Sequence, residues 1–280
     1  MKNNTAYPCK AANKMLVFDK PLIMGVLNTT PDSFYDGSRV SEQEVVDYAG
    51  RMVEQGVDII DLGGMSSRPG AEEIPISQEV NRLIPAIEAI RSEFPEIIIS
   101  VDTYRTEVVK ASDHIGIDIV NDISAGIKDP DMFRIVAELN LLYVMMHMKG
   151  SPETMQNHTV YNDVILDIMT FMSQTIAKAK KFGLHDIIID PGIGFGKSID
   201  DNYKIIKRLS SFKIFDLPIL LGLSRKSFIY KVLELGPEEA LGGTIAMNML
   251  GLLNGAKILR VHDTKEAVEL NKLFQRYDSV

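Results

Sequence analysis

The sequence predicts an α/β protein folded as a closed (β/α)8 barrel, a TIM barrel. Three observations lead there. Eight short apolar runs are separated by helical patterns, the crossovers that parallel strands require. The runs are nearly continuous rather than strictly alternating, which is how strands covered on both faces read. Each run ends in a polar or glycine-rich stretch, so the endings would form a ring at one barrel face. An open doubly wound sheet is the structural alternative.

Residues Met1 to Lys14 are polar and are expected to fray. Met15–Phe18 followed by Asp19-Lys20-Pro21 reads as a short strand and turn covering one end, with a single barrel domain over 15–280. The eight strands then follow. Leu22–Leu27 runs into Asn28, and Asp58–Leu62 into Gly63-Gly64. Ile97–Val101 ends at Asp102, and Ile117–Val120 at Asn121-Asp122. Leu141–Met146 ends at His147, Ile187–Ile189 at Asp190, Pro218–Leu223 at Ser224-Arg225-Lys226, and Lys257–Val261 at His262-Asp263.

The helical patterns between them carry their own punctuation. Ser41-Glu42-Gln43-Glu44 reads as a capping box, and Val45, Tyr48, Ala49, Met52 and Val53 form a stripe that Gly56 ends. Val80, Leu83, Ile84, Ile87 and Ile90 form the next stripe, which Pro85 is expected to kink. Asp163–Phe182 is a long amphipathic helix with lysines at its C-terminal end. Pro237–Asn254 opens with Pro-Glu-Glu, stays apolar and is expected to be largely buried. Asp263-Thr264 opens a last helix.

Composition bounds the function. The 280 residues are 45% apolar and 24% charged, enough for a sizeable core. A formal net charge of −8 without a basic stripe argues against nucleic acid as partner. The single cysteine, Cys9, excludes an intrachain disulfide and fits a reducing compartment. No apolar run reaches the ~18 residues of a membrane span, and the N-terminus reads without the apolar core of a secretory signal. A cytoplasmic protein is expected. The His residues lack metal-ligand spacing, so no zinc site is expected.

The stretch Ile187–Ser198 is glycine-rich but matches neither phosphate-binding fingerprint. The Walker pattern needs Gly where Pro191 stands, and the dinucleotide pattern has its third glycine one residue early. What remains is a buried strand delivering one carboxylate, with glycines that let a ligand approach the backbone. The ring of strand ends divides by chemistry. Asp102, Asn121 and Asp190 offer acceptors, suited to a neutral heterocycle rich in N–H donors. Arg68, Arg260 and His262, with Asn28, offer cations and donors for phosphate oxygens. Lys226 begins the helix after the seventh strand, where backbone N–H groups would also point outwards. The loops Asn28–Gly37 and Gly63–Ala71 are long for this architecture and read as lids.

At these loops the chain resembles the dihydropteroate synthase family, the folate-pathway target of sulfonamides. The matching stretches are Asn28–Gly37, Gly63–Gly70, Ser100–Thr103, Val120–Asp122, Asp190–Lys197, Ser224–Phe228 and Arg260–Asp263, in family order. The resemblance implies a transferase that joins a pterin carrying CH₂-pyrophosphate to 4-aminobenzoate and releases pyrophosphate. It implies that Asp102, Asn121, Ile123, Met146, Asp190, Gly222 and Lys226 hold the pterin. Asn28, Arg68, Arg260 and His262 would hold the pyrophosphate, with Mg²⁺ near Asn28. Ser67, Arg68, Pro69, Phe195, Lys226 and Ser227 would shape the 4-aminobenzoate site, and Asp36 would approach the reacting carbon. A homodimer is the family expectation. Ser67 stands where the family often has Thr, and Met65 and Lys149 also depart from the usual residues. Two other readings share the pterin-holding carboxylates: a methyl-folate methyltransferase, which should lack Thr30–Phe34 and Ser224–Ser227, and a catalytically silent pterin-binding paralogue.

Overall fold

A computed structural model describes residues 7–29, 42–65, 73–150 and 160–280. The expected capping box at Ser41 and the residues Asp36, Ser67, Arg68 and Pro69 lie outside them. Eight parallel strands form the barrel: β3 (Leu22–Asn28), β4 (Ile59–Gly63), β5 (Ile98–Asp102), β6 (Ile119–Asp122), β7 (Leu142–Met146), β8 (Ile187–Asp190), β9 (Leu220–Gly222) and β10 (Ile258–Val261). They pair in sequence order, and β10 returns to β3 with Ile258 opposite Leu22. The remaining seam, β8 to β9, is joined by a parallel bridge between Ile189 and Ile219. The barrel therefore forms, not the open sheet.

Because successive side chains on a strand point to opposite faces, the apolar runs supply two cores at once. Met24, Ile59, Ile119, Leu142, Val144, Ile188, Leu220 and Ile258 pack together inside the barrel. Their chain neighbours, such as Ile23, Ile60, Val120, Tyr143, Ile187, Ile189 and Leu259, pack outwards against the helices. Continuing the inward series towards the C-terminal ends, by one step on most strands and by two on β5, changes its chemistry. It meets Asp61, Asp102, Asn121, Asp190 and Arg260, a polar layer above an apolar one.

Residues 7–14 correct part of one expectation, the rest of which, at Met1–Ala6, lies outside the described residues. β1 (Pro8–Ala11) and β2 (Lys14–Val17) form an antiparallel hairpin. Cys9, Ala11, Leu16 and Phe18 are buried in the inner barrel core and close its N-terminal end. Lys10 N–H donates to Asp186 at 2.7 Å and Ala12 N–H to the Asn140 carbonyl at 3.0 Å. The small apolar residues in alternation hold this segment, despite its polar composition. Burial pushes the Cys9 thiol up to about 12, which leaves it unreactive.

The helices are α1 (Glu42–Gln55), α2 (Ile76–Glu93), α3 (Thr106–Asp113), α4 (Met132–Glu138), α5 (Val164–Lys181), α6 (Ile199–Lys207), α7 (Ser227–Tyr230), α8 (Leu241–Leu253) and α9 (Thr264–Asp278). Asp163 caps α5 by accepting from the Ile165 and Leu166 N–H groups. α2 runs as one helix through Pro85 and buries Leu83, Ala86, Ile87 and Ile90. Pro237–Asn254 is not one buried helix. Pro237–Glu239 form a 3-10 turn, because the Arg225 guanidinium takes the Pro237 and Glu238 carbonyls that a continuing helix would use. α8 then leaves Leu250 and Leu253 exposed. α7 is a single turn, so it supplies no extended row of N–H groups beyond Lys226. Among the described residues no helix is long and apolar enough to cross a membrane.

Tyr143 joins the outer core to the loop after β6. Its hydroxyl donates to Asp122 at 2.6 Å, and Asp122 also accepts from the Ser124 and Gly126 N–H groups. All of these contacts are buried, so Asp122 is turned away from the barrel mouth that its neighbour Asn121 faces. Tyr143→Phe is expected to lower unfolding free energy by about 1–3 kcal/mol, read by urea denaturation, because Asp122 loses a buried donor.

Candidate active site

The polar layer is tied together by one guanidinium. Arg260, on β10, reaches over β3 to the acids of β4 and β5. Its Nε donates to Asp61 at 2.6 Å and its Nη2 to Asp102 at 2.7 Å. Asn121 Nδ2 donates to the same Asp61 oxygen at 3.1 Å. Among the described residues the other Asp61 oxygen has no hydrogen-bond partner, nor has the hydroxyl of Ser100, which stands opposite Asp61 in the β4–β5 register. Burial works to lower the Arg260 pKa, and Asp61 and Asp102 more than reverse it, so the group stays cationic. Burial raises the Asp102 carboxyl to about 7 against the pull of Arg260, with Asp61 adding repulsion.

This pairing corrects the sequence-based division into an acceptor zone and a cation zone. Arg260 belongs to both. Two of its donor arms hold the acids, and Nη1 is the arm left. Asp102 does not cap the following helix; its partner is Arg260, and Arg105 occupies the cap of α3.

A second cluster lies at the ends of β8 and β9. Asp190 Oδ1 accepts from Gly192 N–H at 2.7 Å, and burial raises its carboxyl above the usual range. Lys197 is buried and donates to the carbonyls of His147, Gly192 and Phe195 at 3.2, 2.7 and 2.9 Å. It thus closes the Pro191–Gly196 loop onto β7. Gly192 has φ +69°, and a Cβ there would meet the His147 carbonyl oxygen at 1.9 Å, so only glycine fits. Lys226 Nζ donates to the Ile193 carbonyl and lies 4.6 Å from the centre of the Phe195 ring. Burial lowers its ammonium to about 8, opposed by Asp190. A Cβ on Gly222 would stand 3.8 Å from Lys226 Nζ and 3.9 Å from Arg260 Cβ, so its absence leaves room between the two cations.

Tyr104, Ile123 and Met146 form an apolar cluster with Met65, Met148 and Phe195 packed against it. Beside the acceptors, this gives a surface for a flat ring. Asn28 ends β3 opposite Gly63, and a Cβ on Gly63 would stand 3.0 Å from Asn28 Oδ1. His262 is exposed at the end of β10, its N–H donating to Ser224 Oγ at 3.3 Å. Ser227 is exposed at the start of α7. The rim thus brings together Asn28, Asp102, Asn121, Ile123, Met146, Asp190, Phe195, Gly222, Lys226, Ser227, Arg260 and His262 at strand C-terminal ends and the loops leaving them. Among the described residues no three His, Cys, Asp or Glu side chains form a metal-holding group. One hard amide oxygen with glycine-made space beside it does fit Mg²⁺, which keeps several waters and is bound largely through substrate phosphates.

Sequence reasoning passed over Asp61, Lys197 and Glu79. Asp61 lay inside an apolar run, but it stands two residues before Gly63 and therefore on the inward face. Glu79 is buried in α2, where it accepts from Thr103 Oγ1 and Arg105 Nη1, each at 2.8 Å, and fixes the loop after β5. Neither its helical stripe nor its charge marked it as buried.

A parallel barrel carrying acceptors, two cations and an apolar platform at its C-terminal mouth defines an enzyme that binds a flat nitrogen heterocycle. The model of the family "Pterin binding enzyme" matches residues 24–262. The dihydropteroate synthase of Escherichia coli K12 is 41% identical over 268 residues, covering 95% of this chain and 94% of that protein. The Yersinia pestis dihydropteroate synthase, solved with a sulfonamide drug complex, superposes with a TM-score of 0.92 at 35% identity, covering 98% of this chain and all of that one. The Xanthomonas albilineans dihydropteroate synthase, solved with 4-aminobenzoic acid, gives 0.91 at 35% identity, covering 99% and 100%. The chain belongs to the pterin-binding enzymes and, within them, to the dihydropteroate synthases, transferases of folate synthesis.

The raised Asp102 pKa has a signed consequence. The folded state binds the proton more tightly than the unfolded chain, so this carboxyl's contribution to stability falls as pH rises from about 4 to about 7. The stability of the wild type relative to Asp102→Asn is therefore expected to decline across that window in urea unfolding at stepped pH.

Proposed function

We propose that this rim carries out dihydropteroate synthesis with the following division of labour. Asn121, Asp190 and Asp102 accept hydrogen bonds from the ring and amino N–H groups of the pterin. Ile123, Met146 and Phe195 bear on its faces, and Gly222 leaves it room. Lys226 sits between Asp190 and Phe195, where it meets both the pterin and the 4-aminobenzoate. Ser227, with Ser67, Arg68 and Pro69 of the second loop, shapes the aryl-amine site. Asn28, His262 and Arg68, with the remaining arm of Arg260, hold the pyrophosphate. Mg²⁺, held by Asn28 and the substrate, would neutralise charge on that leaving group.

The reaction breaks the bond from the pterin CH₂ carbon to the pyrophosphate oxygen, which takes the electron pair. A pterin-stabilised cation remains, and Asp102 with Asp36 of the first loop stabilises its charge. The aryl amine then attacks the CH₂ carbon and loses a proton. The observation that carries this reading is the Asp61–Arg260–Asp102 chain, two carboxylates on one guanidinium beneath the mouth. With Asp102 ionised, above its raised pKa of about 7, it places one more negative than positive charge where the cation would form.

Purified protein is expected to form 7,8-dihydropteroate, with matching sustained release of pyrophosphate, when supplied with 6-hydroxymethyl-7,8-dihydropterin pyrophosphate, 4-aminobenzoate and Mg²⁺ together. Asp102→Asn is expected to lose about 10²-fold or more in kcat, because an amide supplies no charge to the intermediate. Failure to form 7,8-dihydropteroate from the complete mixture, or near-normal turnover of the variant, would contradict the mechanism.

The proposed assembly is a homodimer. Leu250 and Leu253 are exposed on α8, beside an apolar groove lined by Tyr203, Ile206 and Met247. Leu250→Lys with Leu253→Lys is expected to sediment as a monomer where the wild type sediments as a dimer. A cytoplasmic location agrees with one buried cysteine and with the substrates' chemistry.

A further inference from the structure

Asp61 is set back from the end of its strand. It is fully buried, two residues below the end of β4. Yet one of its oxygens accepts from two residues that the proposed reaction uses, Asn121 and Arg260. An amide has two chemically opposite arms of nearly equal size. Which arm faces a ligand is decided by what the other arm bonds. A carboxylate accepts only, so the arm of Asn121 that meets Asp61 has to be the NH₂. The carbonyl arm is then left to the ligand. Arg260 is constrained in the same way: Nε is committed to Asp61, so the planar guanidinium can turn only about that anchor, and Nη2 falls on Asp102.

We propose that Asp61 is a positioning residue for heterocycle recognition. It holds Asn121 with its carbonyl oxygen towards the mouth, so that the site selects a ring edge that donates a hydrogen bond there, and it sets the plane of Arg260 from below. The role rests on the pterin-binding reading above and adds to it a determinant of which face of the heterocycle is read. Neither function requires contact between Asp61 and substrate.

The test exploits the difference between an amide and a carboxylate. In Asp61→Asn the new NH₂ can donate to residue 121, which lets the Asn121 amide turn over and offer NH₂ to a ligand that also donates. Calorimetric affinity for 6-hydroxymethylpterin is expected to fall by about tenfold or more, the usual effect of opposing two buried donors. In Asp61→Asn with Asn121→Asp, position 121 becomes an acceptor in either orientation, and the net charge of the pair is unchanged. Affinity is expected to return to within about threefold of the wild type, a coupling that a merely structural role would not produce. The pterin KM should follow the same loss and recovery, since the binding orientation is what changes.

Wild-type affinity in Asp61→Asn, or no recovery in a double variant that melts like the wild type, would overturn the role. Should the single variant not fold, wild-type protein labelled at asparagine side chains decides by NMR. Saturation with 6-hydroxymethylpterin is expected to shift the Asn121 carbonyl carbon while its NH₂ protons stay protected from exchange. A ligand that instead bonds those NH₂ protons overturns the role. Wild-type protein that binds no pterin would bring down the functional reading and this one together, whereas wild-type binding with an unresponsive Asp61→Asn brings down this one alone.

Discussion

The bonds from Arg260 to Asp61 and Asp102 are the constraint on which the upper barrel depends. Burying two carboxylates in one layer is tolerable only with a cation between them, and removing one partner of such a buried set typically costs about 3–5 kcal/mol. The guanidinium suits the task because its fork reaches two acceptors in one plane. It also spans the barrel, from β10 across β3 to β4 and β5. Strands far apart in the chain are thereby locked together where the ligand would lie. Lys197 does the corresponding work at β7 and β8, gathering three carbonyls around one buried ammonium.

The inward series of side chains explains why the site occupies one end. Lower in the barrel the series is apolar and needs no partners. Higher up the same two-residue period delivers acids, an amide and an arginine, each of which must find a bonding partner or a ligand. Chemistry is thus concentrated in the last one or two inward residues of each strand. The loops beyond add the apolar cluster around Ile123 and Met146 and the Lys226–Phe195 contact.

Much of this was legible in the sequence. A strand that ends in a polar residue announces both its boundary and its contribution to the rim, as Asp102, Asn121 and Asp190 do. The barrel followed from the number and rhythm of such endings. Asp61 was less visible because it sits within an apolar run, and its meaning depends on parity, which a run of isoleucines and leucines conceals. The second strand of the hairpin was legible at Met15–Phe18, but the first, Pro8–Ala11, was hidden by its polar composition, since only its alternate residues pack. The pairing of Arg260 with Asp102 was illegible for a different reason. It joins residues 158 positions apart, and residue type alone assigned the arginine to phosphate. The split at Pro237–Glu239 likewise depends on Arg225, twelve and thirteen residues earlier, taking the carbonyls.

The N-terminal hairpin has a consequence for traffic. With Cys9, Ala11, Leu16 and Phe18 packed into the inner core, the barrel has a solid floor. Whatever reaches Asp102 must come in at the end where the strands finish and go out the same way. Two reactants and two products share one doorway, so each turnover has to empty the chamber before the next can begin.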